Sequence, residues 1–120
     1  MLLTENTFGD ILSDVAAGVT GGLGLAASAS LGDAAPAIFE PVHGSAPDVA
    51  GTGTANPAAM LRSLALMLEH SLARADLARA VDEAVERALS STPTRDLGGV
   101  ATTSEFGDTV LESLATVSVA

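Results

Sequence analysis

The chain has 120 residues, enough for one domain with its own core. Its formal net charge is −10, with five Arg and no Lys, which argues against nucleic acid and anionic membrane as partners because phosphate binding wants clustered cations. Hydrophobic residues make up 48% of the chain, yet Phe8, Phe39 and Phe106 are the only aromatics, so the core has to be built from Ala, Leu and Val.

The absence of Cys removes both a disulfide framework and a thiolate metal site, in keeping with a soluble, cytoplasmic protein. No signal-peptide pattern is present. The longest apolar stretch, Leu61 to Leu72, is interrupted by Arg62, Glu69 and His70, so no membrane span is expected.

In chain order, Met1 to Thr4 read as the tail of a buried strand, too short to stand alone. A helix is predicted from about Thr7 to Val19, capped by Asn6 or Thr7, with Asp10 in its first turn. Phe8, Ile11, Leu12, Val15 and Val19 recur there at helical spacing. Gly18, Gly21, Gly22 and Gly24 end it. Ala26 to Leu31 and Ala37 to Pro41 are short strand candidates around a polar turn at Gly32 and Asp33. From Val42 to Pro57 the composition shifts to Gly, Ala, Pro, Asp and Thr, which predicts a long irregular loop of the kind that is commonly functional.

Asn56-Pro57 opens the next helix, to about Leu72, with Met60 and Met67 assigned to the core and His70 near a favourable C-terminus. Another helix spans about Asp76 to Leu89. A turn follows Pro93 at Asp96, Gly98 and Gly99, and a last helix covers about Thr103 to Leu114.

Two stretches carry candidate chemistry. In the run Asn6 to Asp14, Asp10 and Asp14 are four residues apart, so a helix puts both carboxylates on one face. A hard cation, Mg²⁺ or Mn²⁺, would relieve their repulsion through oxygen ligands. Spacing alone favours a plainer explanation, two acids on a solvated face near a helix start. The second stretch runs from Glu40 to Asn56 through His43-Gly44-Ser45-Ala46-Pro47-Asp48. Small residues there let backbone N–H groups approach a phosphate, and a following Asp can accept bonds from ribose hydroxyls. It is not a G-x-G-x-x-G fingerprint, and a Gly/Pro-rich surface loop explains it equally well. His43, taken alone, is more simply a hydrogen-bonded loop residue than a general base.

Together, TENTFGDILSD, SASLG and EPVHGSAPDVAG…ANP closely resemble the isopropylmalate/isocitrate dehydrogenase family, most of all its isopropylmalate branch, and Thr102 to Asp108 match the family's final helix. The resemblance implies an α/β fold, here the C-terminal portion of the isopropylmalate dehydrogenase-like two-domain fold. Residues 1–21 would end the substrate and dimer domain, and 22–120 would form the C-terminal half of the cofactor domain. It implies oxidation of a 2-hydroxy acid by NAD followed by loss of the β-carboxylate, with Mg²⁺ or Mn²⁺, in a homodimer. Asp10 and Asp14 would be metal ligands. His43, Gly44, Ser45 and Ala46 would bind the cofactor, Asp48 its adenosine ribose, Asn56 the adenine side, and Glu40 would lie near the nicotinamide.

Thr52 departs from the family, where a Lys is frequent. The family's acid–base Tyr and Lys have no counterpart in this chain, nor has its substrate-gripping Arg cluster, so a truncated and inactive segment is expected. No Lys or Arg lies between Asp33 and Arg62, which with Asp48 predicts NAD over NADP. Tartrate/malate and homoisocitrate dehydrogenases of the same family remain alternatives, as does a non-catalytic nucleotide-binding or assembly module.

Overall fold

Helix and strand follow one another as α1 (Asn6–Val19), β1 (Ala27–Ser30), β2 (Ile38–Pro41), α2 (Ala58–His70), α3 (Ala75–Ser91) and α4 (Thr103–Ala115). Short 3-10 turns lie at Leu23–Leu25, Pro47–Val49 and Arg95–Leu97. This computed structural model describes residues 3–19, 21–34 and 36–116. The fold is α/β, a small antiparallel sheet laid against helices.

The strand expected at Met1 to Thr4 falls only partly on described residues. Met1 and Leu2 lie outside the described residues, and Leu3 and Thr4 have no regular structure. A lone strand of this length has no neighbour to take its backbone hydrogen bonds. The cap of α1 also differs from expectation: the Phe8 N–H donates to Glu5 Oε1 at 3.1 Å, so Glu5 rather than Asn6 or Thr7 closes the first turn. With the helix starting at Asn6, Asp10 falls beyond that turn.

The core sits among α2, α3 and α4, with α3 packed against both of the others. Val81, Ala84, Val85 and Ala88 of α3 meet Ala58 and Ala65 of α2 and Phe106 and Val110 of α4, all buried. Small side chains at these contacts let the helix axes approach closely, and Phe106 supplies the one large buried ring. Met60 is a correction, being 55% exposed, on the side of α2 turned away from this core.

β1 and β2 pair antiparallel from Ala27↔Pro41 to Ser30↔Ile38, and both pack on α2. α3 runs past its expected end at Leu89 to Ser91, with the Thr92 N–H still donating to the Ala88 carbonyl at 2.8 Å, while the Ser90 and Ser91 hydroxyls donate to the Glu86 and Arg87 carbonyls. The chain then folds back through Pro93 to Ala101. Gly99 is required there, since a Cβ would run into the Pro93 carbonyl. α4 begins with a capping box, in which the Thr102 hydroxyl accepts from the Glu105 N–H while the Glu105 carboxylate accepts from the Thr102 N–H at 2.8 Å.

Candidate nucleotide cleft and metal-ligating helix

The loop from Val42 to Pro57 is irregular, as its composition predicts, but it is tied down at several points. Val42 N–H donates to Ala26 O at 3.1 Å, continuing the hairpin. Ala46 adopts a left-handed conformation, φ 41°, which L-residues enter at a cost, and its carbonyl starts the Pro47–Val49 turn. Thr52 Oγ1 donates to Val49 O at 2.7 Å and lies 2.7 Å from Thr54 Oγ1. The start of α4 reaches across, with Thr103 N–H on Gly53 O at 2.8 Å and Thr103 Oγ1 on Ala55 O at 2.5 Å.

A cleft of about 530 Å³ opens between this loop and the turn after α3. His43, Gly44, Ala46 and Asn56, four of the residues singled out from sequence, line it. Val49, Thr54 and Ala55 of the same loop join them, with Gly24, Arg95 and Asp96 from elsewhere in the chain. Ser45 and Asp48 are exposed in the loop beside the lining, and Glu40 is exposed on β2 opposite Ser28. Asp10 and Asp14 lie on α1, away from the lining.

Asp96 organises one wall. Its Oδ1 accepts the Thr94 hydroxyl at 2.5 Å, and its Oδ2 accepts from Asn56 Nδ2 at 3.0 Å. Asn56 Oδ1 in turn accepts from the Ala58 N–H at 3.0 Å, at the start of α2. Both ends of the Asn56 amide are thus engaged, which fixes its orientation and leaves one N–H and the backbone for a ligand. Gly24 faces this wall, where a Cβ would stand 3.2 Å from Asp96 Oδ2. His43 Nδ1 lies 2.9 Å from Gly44 O, and a ring nitrogen facing a carbonyl has to donate, so Nε2 is the free nitrogen of the neutral ring.

Sequence reasoning missed Gly24, Arg95 and Asp96. Thr94-x-Asp96 reads locally as turn chemistry, and nothing near it in the chain signals Asn56 as its partner.

On α1, Asp10 and Asp14 are both exposed and one turn apart. Their oxygens suit a hard cation, but they make half a coordination set: among the described residues no three His, Cys, Asp or Glu side chains converge. The cofactor side fits better, since small residues, a cleft and a fixed amide are all present.

The chain belongs to a family of oxidative enzymes: the model of the isocitrate/isopropylmalate dehydrogenase family matches residues 1–110. Among its relatives, 3-isopropylmalate dehydrogenase of Deinococcus radiodurans is 58% identical over 95% of this chain and 32% of its own length. Isocitrate/homoisocitrate dehydrogenase of Thermus thermophilus is 53% identical over 95% of this chain and 34% of its own. The crystal structure of isocitrate dehydrogenase from Methylococcus capsulatus superposes with a TM-score of 0.84 at 46% identity, over 91% of this chain and 33% of that one. The chain therefore spans about a third of the length of the relatives it matches.

Proposed function

We propose that this chain supplies the cofactor cleft and two metal ligands of an NAD-dependent 3-isopropylmalate dehydrogenase, which oxidises and decarboxylates 3-isopropylmalate to 2-oxoisocaproate in leucine biosynthesis. The observation that carries the reading is the cleft, in which His43, Gly44, Ala46 and Asn56 converge although they are spread over a long loop. The substrate rests on the 58% identical relative from Deinococcus radiodurans.

In this proposal the Gly44–Ala46 backbone approaches the cofactor phosphates, which larger side chains would keep away. Asp48 accepts hydrogen bonds from the adenosine ribose, Asn56 borders the adenine, and Glu40 lies toward the nicotinamide. Asp10 and Asp14 offer carboxylate oxygens to Mg²⁺ or Mn²⁺. When bound, the nicotinamide supplies the hydride acceptor and the cation supplies Lewis-acid charge toward the substrate oxygens. With neither Lys nor Tyr, the chain by itself lacks the acid–base pair that the family resemblance implies.

Residues 1–21 belong to a substrate and dimer domain and 22–120 to the cofactor domain of a cytoplasmic homodimer. The bare apolar face of α1, where Phe8, Ile11 and Val15 are more than half exposed, supports burial against further protein. A second reading, isocitrate or homoisocitrate as substrate, is favoured by the Thermus thermophilus relative.

The test of the cleft is titration of the ¹⁵N-labelled chain with NAD. Amide shifts are expected at Gly24, Gly44, Ala46 and Asn56, and no shift at these positions in millimolar NAD would refute the nucleotide reading. Assay of the complete enzyme with 3-isopropylmalate, isocitrate and homoisocitrate decides the substrate.

A further inference from the structure

The irregular loop of the cleft is fastened at its ends, where Val42 is bonded to Ala26 and Asn56 to Asp96. Between those ends, among the described residues, its hydrogen bonds stay within the loop, apart from those given by Thr103. Local bonds alone leave such a stretch many conformations. Gly51 and Gly53, both at positive φ, add to them because they have no side chain to pack.

Thr103 N–H donates to Gly53 O at 2.8 Å. Its hydroxyl donates to Ala55 O at 2.5 Å, across 48 residues of sequence. The two carbonyls bracket Thr54 and Ala55, which with Asn56 are consecutive lining residues of the cleft. Thr103 itself lies outside that lining. It is the first residue of α4, directly after the Thr102 cap and on the helix whose Phe106 is fully buried. The three-helix core thus reaches the middle of the loop through one residue.

We propose that Thr103 is a positioning residue for the nucleotide: without touching the ligand, its N–H and hydroxyl hold Thr54 to Asn56 in the binding shape. The loop is then ordered on folding rather than on binding. This rests on the nucleotide reading of the cleft and extends it to a residue that no ligand contact would reveal. A ligand that favours the held loop must, reciprocally, favour the two Thr103 bonds.

The experiment titrates the chain with NAD, followed by calorimetry and by amide hydrogen exchange, alongside Thr103→Val, Thr103→Ser and Thr109→Val. Thr103→Val keeps the shape and the N–H but removes the hydroxyl, which Thr103→Ser retains. Thr109→Val removes another hydroxyl of α4, one bonded to Glu105 O and 3.0 Å from Thr92 Oγ1, so that it does not reach the loop. Thr103→Val should bind NAD about five- to tenfold more weakly, as for one hydrogen bond, with the other two variants within about twofold of wild type. In the wild-type chain NAD should slow exchange of the Thr103 N–H, a readout that stands even where a variant fails to fold. Unchanged affinity in Thr103→Val, an equal loss in Thr103→Ser or Thr109→Val, or no NAD-dependent protection of Thr103 overturns the proposal. Wild-type binding of NAD still keeps the nucleotide reading standing in those cases. Failure of the wild-type chain to bind NAD at millimolar concentration overturns both.

Discussion

Single residues decide how the cleft is shaped. Ala46 holds a left-handed conformation that glycine would adopt without a Cβ penalty. Ala46→Gly is therefore expected to stabilise the chain by about 0.5–1 kcal/mol in urea unfolding, the relief of strain outweighing the added freedom of the unfolded chain. An unchanged or lower midpoint would mean that the loop relaxes that strain in another way. At Asp10 and Asp14, adjacent carboxylates on one helix face should attract Mn²⁺ weakly even without further ligands. Paramagnetic broadening by Mn²⁺ should centre on α1 and fall in both Asp10→Asn and Asp14→Asn. Broadening spread evenly over the acidic surface would assign the pair to a solvated face.

At the scale of elements, the junction between α3 and α4 carries both stability and the cleft wall. The Thr102–Glu105 capping box starts α4, whose next residue Thr103 is bonded to the loop at Gly53 and Ala55. Thr102→Ala should cost about 1 kcal/mol, the usual loss for a helix cap, and should also loosen the loop. Hydrogen bonds from Thr102, first its backbone N–H and then its side chain, hold the Glu105 carboxyl below its ordinary value of 4.5. The folded form therefore binds that proton less readily than the unfolded form, so the contribution is complete above pH 4.5 and is lost as pH falls through the lowered folded value. Glu105→Gln should flatten this part of the acid limb, and an unaltered pH–stability curve would contradict the linkage. Phe106, fully buried where α3 and α4 meet, is the large side chain of an otherwise small-residue core. Phe106→Ala should cost about 3–5 kcal/mol, much of the stability of a domain this size.

Over the whole molecule, the three helices α2, α3 and α4 share a buried core while α1 joins the rest chiefly through the Leu23–Leu25 turn. Ala17 is the only residue of α1 that is buried among those described, and Val19 at its end is 83% exposed. The two metal-ligand candidates thus ride on an element whose position depends on what covers its apolar face. The chain should accordingly show no turnover of 3-isopropylmalate with NAD and Mg²⁺. General acid–base groups contribute roughly 10²–10⁴-fold each, and a chain with no Lys and no Tyr has neither of those expected. Turnover comparable to a complete relative, measured on protein from a host lacking the enzyme, would end this account.

Much of this was legible in the residues. The helices came within two or three residues of their observed ends, since apolar periodicity, the Asn56-Pro57 start and the Pro93 break act over a few positions. The motif from Glu40 to Asn56 marked one side of the cleft, and the motif from Asn6 to Asp14 marked the helix that bears the two acids. Other features needed the tertiary structure. Gly24, Asn56 and Asp96 meet because the hairpin and the turn after α3 are both anchored on the three-helix core. No local period encodes that meeting, and the same packing brings Arg95 into a cleft whose own loop has no cation. The apolar spacing of α1 specified a face to bury, but only the packing of the whole chain decided that this face stays open, because burial belongs to pairs of elements and not to either one alone.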